Sequence, residues 1–218
     1  MSHPIWPLFD LRVVTPRLEL RYIDDELAVQ LALLASKGIH DPGFMPFAVP
    51  WTDHPSPQLE RQTMQFYWRC RADTTPDAWN VNFAVIIDGT TVGTTGLISH
   101  DFPTLRQFET GSWLGRDFQG HGIGKEMREA SLHLGFAGFD ALWATTGAYD
   151  DNGPSLGVTR SLGYTEAGRR RVVRRGVSAT TVGFEMTRGD WETCLRRADI
   201  RIEGLDACRS LLGLTPPG

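Results

Sequence analysis

Cysteine is scarce in this chain of 218 residues, which contains only Cys70, Cys194 and Cys208. The three are odd in number and lack the spacing of a Cys-x-x-Cys pair, so neither a disulfide framework nor a zinc site is indicated. The six histidines show no His-Glu-x-x-His motif or other ligand spacing. We therefore expect free thiols and no bound metal.

An excess of positive charge and long apolar runs are also missing. The 22 lysines and arginines are outnumbered by 26 aspartates and glutamates, and both signs are scattered along the chain. This balance gives no reason to expect nucleic acid or an anionic membrane surface as a partner. No run approaches the roughly 18 to 20 apolar residues of a membrane span, and the opening MSHPIWPLFD lacks the basic start and apolar core of a signal peptide. We therefore expect a cytoplasmic protein.

What is present is an ordinary globular composition. Hydrophobic residues make up 41% of the chain and charged residues 22%, and the length suffices for one well-buried core. We expect a single domain over residues 1–190. Residues 191–218 have a weaker apolar pattern and are predicted to form a C-terminal extension, packed on this domain or trailing from it, with a loose TPPG end.

Apolar periodicity predicts strands that alternate with helices, which is typical of an α/β protein. Leu18, Leu20 and Tyr22 lie on one face of the first predicted strand, and Asp24 and Asp25 can cap the helix that follows. The predicted strands are 15–23, 80–87, 91–99, 108–114, 141–146, 166–174 and 180–187, and the predicted helices are 26–36, 57–72, 122–139 and 154–162.

Three local patterns refine this prediction. Asp88-Gly89 is a strong hairpin turn signal between the second and third strands. The proline-rich and aromatic stretch 38–58 is typical of an ordered loop or a short broken helix, since it is too apolar to be disordered. In the helix 122–139 an apolar stripe is expected to face the sheet. Its members are Met127, Ala130, Leu134 and Ala137.

The most informative stretch is FETGSWLGRDFQGHGIGK, residues 108–125, in which a strand leads through a glycine-rich turn into an amphipathic helix. Gly120, Gly122 and Gly124 lack a Cβ, so the backbone can approach an anion closely. The free N–H groups of the first helical turn and the positive end of the helix dipole favour a pyrophosphate there.

Two better-known glycine motifs fit this stretch badly. A nucleoside triphosphate loop needs a Gly-x-x-x-x-Gly-Lys spacing followed by Ser or Thr, but Lys125 is followed by Glu126 and no glycine stands at 119. The dinucleotide fingerprint needs Gly-x-Gly-x-x-Gly and an acid at the end of the next strand, whereas Asp140 precedes that strand. The remaining pattern is Gln119-x-x-Gly122-x-Gly124, in which the helix N-terminus takes the phosphates of coenzyme A.

In this pattern the chain resembles the GNAT superfamily of acyl-CoA-dependent N-acyltransferases, whose signature is (Q/R)xxGx(G/A). Two further blocks resemble the branch of the ribosomal-protein N-terminal acetyltransferases (RimJ/RimL-like): FETGSWL before the loop and DNGPSLGVTRSLGYTEAG after it. The three blocks occur in the expected order. The resemblance extends from about Thr15 to about Thr187.

The resemblance implies a mixed, mostly antiparallel twisted sheet flanked by helices, whose fourth and fifth strands, here 108–114 and 141–146, splay apart. The pantetheine arm of the donor, acetyl-CoA or succinyl-CoA, would enter that gap and pair with the backbone near Trp113 and Leu114. The cofactor-binding residues that it implies are Trp113, Leu114, Gln119, Gly120, His121, Gly122, Ile123, Gly124, Lys125, Asn152 and Ser155.

The resemblance also implies two catalytic residues. Glu109 occupies the position of a general base that takes a proton from the incoming ammonium. Its alternative is a structural carboxylate that pairs with Arg21 or Arg106. Ser155 would protonate the departing thiolate, with Asn152 beside it on the pantetheine.

Asn152 and Ser155 also have a structural interpretation, as the cap and first turn of a helix. His121 is expected to face solvent or phosphate rather than to transfer a proton. The arginine cluster near the last strands, Arg169, Arg170, Arg171, Arg174 and Arg175, is typical of a solvated hairpin. It is alternatively a site for an acidic acceptor or for the free carboxylate of succinyl-CoA.

The predicted function is transfer of an acetyl or succinyl group from coenzyme A to a primary amine by direct attack on the thioester. The amine belongs to a protein N-terminus, a lysine or a small molecule such as an antibiotic, and segment 38–58 contributes to its pocket. The alternative class is a regulatory domain that binds acyl-CoA without turnover. Self-association, including through the C-terminal extension, stays open.

Overall fold

A single mixed sheet of nine strands organises residues 3–214, which are the residues that this computed structural model describes. The strand order is β7-β8-β6-β5-β4-β3-β2-β1-β9, and every neighbouring pair is antiparallel except β5 and β6. The predicted α/β class with a mostly antiparallel sheet is confirmed. The strands are β1 (Arg12–Val14), β2 (Glu19–Tyr22), β3 (Ala78–Ile87), β4 (Thr90–His100), β5 (Gln107–Leu114), β6 (Trp143–Tyr149), β7 (Thr165–Arg174), β8 (Val177–Thr187) and β9 (Arg201–Glu203).

Helices cover both faces of this sheet. On one face α1 and α2 pack against β3 and β4, and on the other face α4, α5 and α6 contribute to the main core. Asp24 caps α1 as predicted, since its Oδ1 accepts from the Leu27 N–H at 2.8 Å. The helices are α1 (Asp25–Ser36), α2 (Gln58–Ala72), α3 (Phe102–Leu105), α4 (Ile123–His133), α5 (Gly153–Ser161) and α6 (Arg188–Cys194).

The helix predicted at 122–139 changes its winding after His133. Residues Leu134–Gly138 form a π-helical turn, which widens the helix and shifts the faces of its last residues. Ala137 is consequently exposed, so its place in the predicted core stripe is wrong, while Phe136 and Phe139 are buried instead. The other three members of the stripe are buried as predicted.

Two predicted strands are displaced. The first predicted strand is β2, which begins only at Glu19. Leu20 and Tyr22 in it and Leu18 before it are buried as expected, and residues 12–14 form a separate strand β1 that was not predicted. The strand predicted at 141–146 is β6 and begins at Trp143, because the Ala141 N–H bonds to the Gly135 carbonyl and closes the π-turn. The Asp88-Gly89 hairpin is confirmed, and both residues have positive φ values, 47° and 76°.

Helix α6 and the segment after it are built into the core. Trp191 is 1% exposed and stacks on Phe136, while Leu212 accepts a hydrogen bond from the Trp79 indole at 3.1 Å. Strand β9 pairs with β1 and forms an edge of the sheet. The domain boundary at residue 190 stays a prediction, and the TPPG end lies outside the described residues.

Candidate active site

The parallel strands β5 and β6 separate shortly after they begin. They pair only from Gln107–Trp143 to Glu109–Thr145, although β5 continues to Leu114 and β6 to Tyr149. Beyond this point the ladder between the two strands ends, with one side-chain bond from the Thr146 hydroxyl to the Thr110 carbonyl at 3.0 Å, which leaves a V-shaped gap with Glu109 at its apex. The splaying of the fourth and fifth predicted strands is therefore confirmed, and these strands are β5 and β6.

The glycine-rich turn ends at the first residue of α4. Gly120 and Gly122 have φ values of 79° and 77°, which only glycine adopts without strain. Gly122 is the N-cap of α4. His121 and Lys125 are exposed, whereas the Ile123 side chain is buried in the core. Ile123 can thus offer a ligand only its backbone N–H.

Arg17 places a positive charge beside this turn, and the sequence analysis did not predict it. Its Nη2 lies 3.7 Å from the point where a Cβ on Gly122 would stand, and its Nε donates to Glu126 Oε2 at 2.6 Å. Burial raises the pKa of Glu126, but the hydrogen bonds from Thr15 and Arg17 and the Arg17 charge outweigh it and lower that pKa. The only sequence signal for Arg17 was its place in the TPRLELR block.

Gln119, Trp113 and Leu114 hold the end of β5 with their side chains. The Gln119 amide donates to the carbonyls of Ile39 at 2.8 Å and of Leu114 at 2.9 Å. The Trp113 ring packs against Trp51 at 6.0 Å, and the Leu114 side chain is in the core. Because these side chains are engaged in contacts elsewhere in the protein, a ligand in the gap would meet backbone groups of this segment.

Asn152 and Ser155 lie across the gap, at the turn that joins β6 to α5. Asn152 is the N-cap of α5, and its Oδ1 accepts from the Ser155 N–H at 3.3 Å. The structural interpretation of Asn152 therefore holds. The Ser155 hydroxyl has no hydrogen-bond partner within residues 3–214, and the side chain is half-buried.

Glu109 lies on the face of the sheet that α4 does not cover. The register of β4 and β5 is regular from Ile98–Glu109 to Gly93–Leu114, so Glu109 and Leu114 face opposite sides. The Glu109 side chain is exposed. Arg21 instead pairs with Glu19, and Arg106 pairs with Asp140. Neither ion pair that the structural alternative for Glu109 requires is formed.

The sheet face around Glu109 is open. Thr145 pairs with Glu109 on one side and with Glu185 on the other, so the three side chains share one face. The next row on this face consists of glycines, and a Cβ on Gly111 would meet no atom within 4 Å. The other glycines of the row are Gly147 and Gly183.

The predicted arginine cluster forms ion pairs at the tip of the β7–β8 hairpin. Arg175 binds Asp53 and donates to the Pro42 carbonyl at 2.9 Å, so the tip is joined to the loop 38–58. Arg174 binds Asp151 and lies over the Tyr149 ring at 4.3 Å. We call these contacts the hairpin latch.

The remaining arginines of the cluster are solvated. Arg169 pairs with Glu166, and Arg171 donates to the Ser178 hydroxyl at 3.0 Å. Arg170 is exposed. Within residues 3–214, no group of three or more His, Cys, Asp or Glu side chains is placed to hold a metal ion, and no helix is long and apolar enough to cross a bilayer.

Residues 17–165 match the model of the acetyltransferase (GNAT) domain family, and this range includes every predicted site residue. Three solved structures have the same fold. A ribosomal-protein-S5-alanine acetyltransferase from Vibrio fischeri superimposes with a TM-score of 0.65 at 16% identity, over 83% of this chain and 98% of that one. A GNAT-family acetyltransferase from Bacillus anthracis has a TM-score of 0.65 at 17% identity, over 82% of this chain and 99% of that one.

The third structure is RimL, a ribosomal L7/L12 α-N-protein acetyltransferase, in complex with coenzyme A. Its TM-score is 0.62 at 18% identity, over 80% of this chain and 96% of that one. The family model covers more than half of the chain. The chain therefore belongs to the GNAT acetyltransferase family, and it is an N-acetyltransferase that uses an acyl-coenzyme A donor.

Proposed function

We propose that the gap between β5 and β6 holds the acyl-CoA arm and that Glu109 activates the attacking amine at its apex. The observation that carries this proposal is the loss of strand pairing directly after Glu109–Thr145, beside the glycine turn of α4. The donor phosphates bind the N–H groups from Gly120 to Lys125 together with Arg17. The pantetheine amides pair with the backbone near Trp113 and Leu114 on the side of β5 that faces the gap, as an added strand would.

The reaction needs no covalent enzyme intermediate. The ammonium gives a proton to Glu109, directly or through water, and the free amine attacks the thioester carbonyl. A C–N bond forms and the C–S bond breaks. Ser155 gives the thiolate its proton and takes the second proton of the attacking nitrogen, directly or through water, so the serine hydroxyl is restored. A backbone N–H near Leu114 polarises the carbonyl, and positioning within the gap supplies much of the rate.

The open face around Glu109 is the proposed acceptor site. Glu109 and Glu185 stand two strands apart, which separates their Cα atoms by about 10 Å. Gly111, Gly147 and Gly183 have no side chains, so this face has room for a flat or extended acceptor. A basic peptide N-terminus or another amine with a second positive charge fits this face better than an acidic acceptor does.

Release of thiol from acetyl-CoA with a panel of amines tests the proposal. The panel contains a peptide with a free N-terminus, an N-blocked peptide with one lysine, and a small diamine. Glu109→Gln is expected to lower kcat by about 10²-fold or more at neutral pH, and to move the rise of kcat/KM to higher pH. Glu203→Gln, on the distant edge strand β9, is the matched control.

Two further variants separate chemistry from binding. Ser155→Ala should lower kcat more than it weakens coenzyme A binding. Glu185→Gln should raise the KM of the doubly charged acceptors and leave acetyl-CoA binding unchanged. Unaltered turnover and pH profile in Glu109→Gln would remove Glu109 from the mechanism.

A further inference from the structure

Strand β7 is the long edge of the sheet. It has ten residues and, among residues 3–214, pairs only with β8, whereas the opposite edge strand β9 has three residues. The one irregularity in its register lies between Glu166 and Gly168, so the strand pairs regularly with β8 from Gly168 to Arg174. Alternate residues of this stretch direct backbone N–H and C=O groups away from the sheet. An extended segment can therefore pair with them as an additional strand.

Positive charge is concentrated on this edge. Residues 165–177 contain five arginines and one glutamate, a net charge of +4, which leaves −8 on the rest of a chain whose net charge is −4. Three of the arginines, Arg169, Arg174 and Arg175, are paired with carboxylates. Arg170 and Arg171 form no ion pair within residues 3–214, and both are exposed. The edge thus offers two free guanidinium groups beside its free backbone.

The two free arginines lie on opposite faces of β7. Arg170 is paired with Thr181 and Arg171 with Thr180, and successive residues of a strand point to opposite faces. An added strand would therefore meet one guanidinium above its plane and one below it. Two neighbouring carboxylates on that strand would each face one of these cations, with about 4.5–5.5 Å between the Cβ atoms of each cross-strand pair.

Apolar residues extend the pattern. Val172 and Val173 follow the arginines on β7, and Val173 is 73% exposed. Charged residues on an edge strand can serve only to keep it unpaired. An exposed valine has the opposite effect, because a β-branched side chain favours strand pairing and adds apolar area for a partner. The hairpin latch fixes the tip of this edge through Arg174 and Arg175, so the edge is already ordered before a partner binds.

We infer that β7 is a docking edge for an acidic, extended segment of a partner protein, which adds to the sheet as a tenth strand. In the antiparallel register the segment reads Val-Val-Glu-Glu-Glu or a similar sequence, so that its acids lie opposite residues 169–171 and its apolar residues opposite 172–173. A second copy of this chain fits poorly, because an antiparallel pair of β7 strands brings two arginine-rich strands together.

Fluorescence anisotropy with labelled peptides tests this edge in the full chain. The first peptide contains Val-Val-Glu-Glu-Glu between threonines. The second has the same sequence with two consecutive N-methylated residues in its middle, which removes an N–H donor from each edge of the extended peptide. The third has lysine in place of glutamate. The wild-type protein is expected to bind the first peptide at least about tenfold more tightly than either of the others.

Charge reversal tests which residues hold the peptide. The double variant Arg170→Glu/Arg171→Glu should bind the acidic peptide at least about tenfold more weakly than the wild type, and the lysine peptide more tightly, because both ion pairs are reversed. Arg61→Glu, at an exposed position of α2, is the matched control and should change either affinity by less than about twofold. Circular dichroism shows whether each variant is folded, and the wild-type comparison of the three peptides decides if the double variant is not.

Three results would overturn the inference. Equal binding of the acidic peptide and its N-methylated form would mean that charge alone attracts the peptide. No binding of the acidic peptide would mean that the arginines only protect the edge. Tighter binding of a single-stranded oligonucleotide of equal charge would assign the arginines to nucleic acid. None of these results depends on coenzyme A, so the inference and the proposed function fail separately.

Discussion

The Thr15 hydroxyl donates to Glu126 Oε1 at 2.6 Å, although 111 positions separate the two residues in the sequence. The contact joins the turn between β1 and β2 to the first turn of α4, and Arg17 in the same turn holds the other oxygen of the carboxylate. The cation beside the glycine turn therefore has its position set by a buried hydrogen bond. Loss of this bond should affect both stability and donor binding.

Thr15→Val tests that relationship with little change in shape. The variant leaves a buried carboxylate oxygen without its donor, so the free energy of unfolding should fall by about 1–3 kcal/mol. Coenzyme A should also bind more weakly, because Arg17 and the turn lose their common support. Urea unfolding and calorimetry measure the two effects, and Thr90→Val on an exposed end of β4 is the control. Equal behaviour of the two variants would show that the bond does not position the turn.

The surroundings of two helical glycines, Gly135 in the π-helical turn and Gly157 in α5, predict opposite effects when each is replaced by alanine. A Cβ on Gly135 would stand 2.2 Å from the Phe108 ring, so Gly135→Ala should destabilise the fold by about 2 kcal/mol or more. A Cβ on Gly157 in α5 would meet no atom within 4 Å, so Gly157→Ala should stabilise by roughly 0.5–1 kcal/mol. Thermal unfolding of both variants measures the difference, and the same sign for both would contradict the packing described.

His133 should make the fold sensitive to mild acid. Burial lowers the pKa of His133, Arg196 and Arg197 lower it further, and Asp199 opposes them. The unfolded chain takes up a proton below its ordinary pKa of about 6.5, whereas the folded chain resists protonation. This contribution to stability is therefore complete above about pH 6.5 and is lost as the pH falls towards the lowered pKa.

His133→Phe keeps the ring against Trp191 and removes the titration. The free energy of unfolding should fall between pH 7.5 and pH 5.5 by less in this variant than in the wild type. Urea titrations followed by tryptophan fluorescence measure the free energy of unfolding of both proteins at each pH. An identical pH dependence would mean that His133 is not the group responsible.

The hairpin latch predicts a change in acceptor binding without a change in donor binding. Arg175→Ala removes the contacts to Asp53 and Pro42, which frees the loop 38–58 at the proposed acceptor mouth. The KM of the acceptor should rise about two- to fivefold, in keeping with the small energy of exposed ion pairs. Arg171→Ala, outside the latch, is the control, and an equal rise in both would contradict the role of the latch.

The latch should also persist over the working pH range. Arg175 lowers the pKa of Asp53, and Arg174 lowers the pKa of Asp151. Both carboxylates hence stay ionised above the ordinary aspartate pKa of about 3.9, and the latch opens only as the pH falls below it. Because the latch does not titrate between about pH 6 and pH 9, the KM of the acceptor should depend on pH in the same way in Arg175→Ala as in the wild type over this range.

Local sequence patterns predicted the features that depend on neighbours in the chain. The glycine turn, the Asp88-Gly89 hairpin and the cap at Asp24 each need only a few adjacent residues, and all three form as predicted. The gap between β5 and β6 was predicted from the family resemblance and not from periodicity. The roles of Glu109 and Ser155 stay predictions, because a position near the gap does not establish a proton transfer.

The missed features depend on contacts between distant segments. Strand β1 has only three residues and pairs with β9 from the far end of the chain, so no periodicity reveals it. Arg17 reaches the glycine turn through the folding of distant segments, and in the sequence it is an ordinary arginine in an amphipathic setting. Ala137 was assigned to the core because a π-helical turn leaves no signal in a pattern of 3.6-residue period.

Binding of coenzyme A to a Gly124→Asp variant tests the central claim, that the N-terminus of α4 holds the donor phosphates. Gly124 is the second residue of α4, where a carboxylate suits the helix dipole, and a Cβ there would contact only Leu114 at 3.8 Å. The fold should therefore remain stable while the new charge repels the pyrophosphate. Gly189→Asp is the control, since Gly189 is the exposed second residue of α6.

Calorimetry should show 1:1 binding of coenzyme A to the wild type and to Gly189→Asp, and binding weaker by about 100-fold or more in Gly124→Asp, as expected for a direct like-charge contact. Unchanged affinity in Gly124→Asp, or no binding to the wild-type protein, would contradict the assignment of this turn as the donor site.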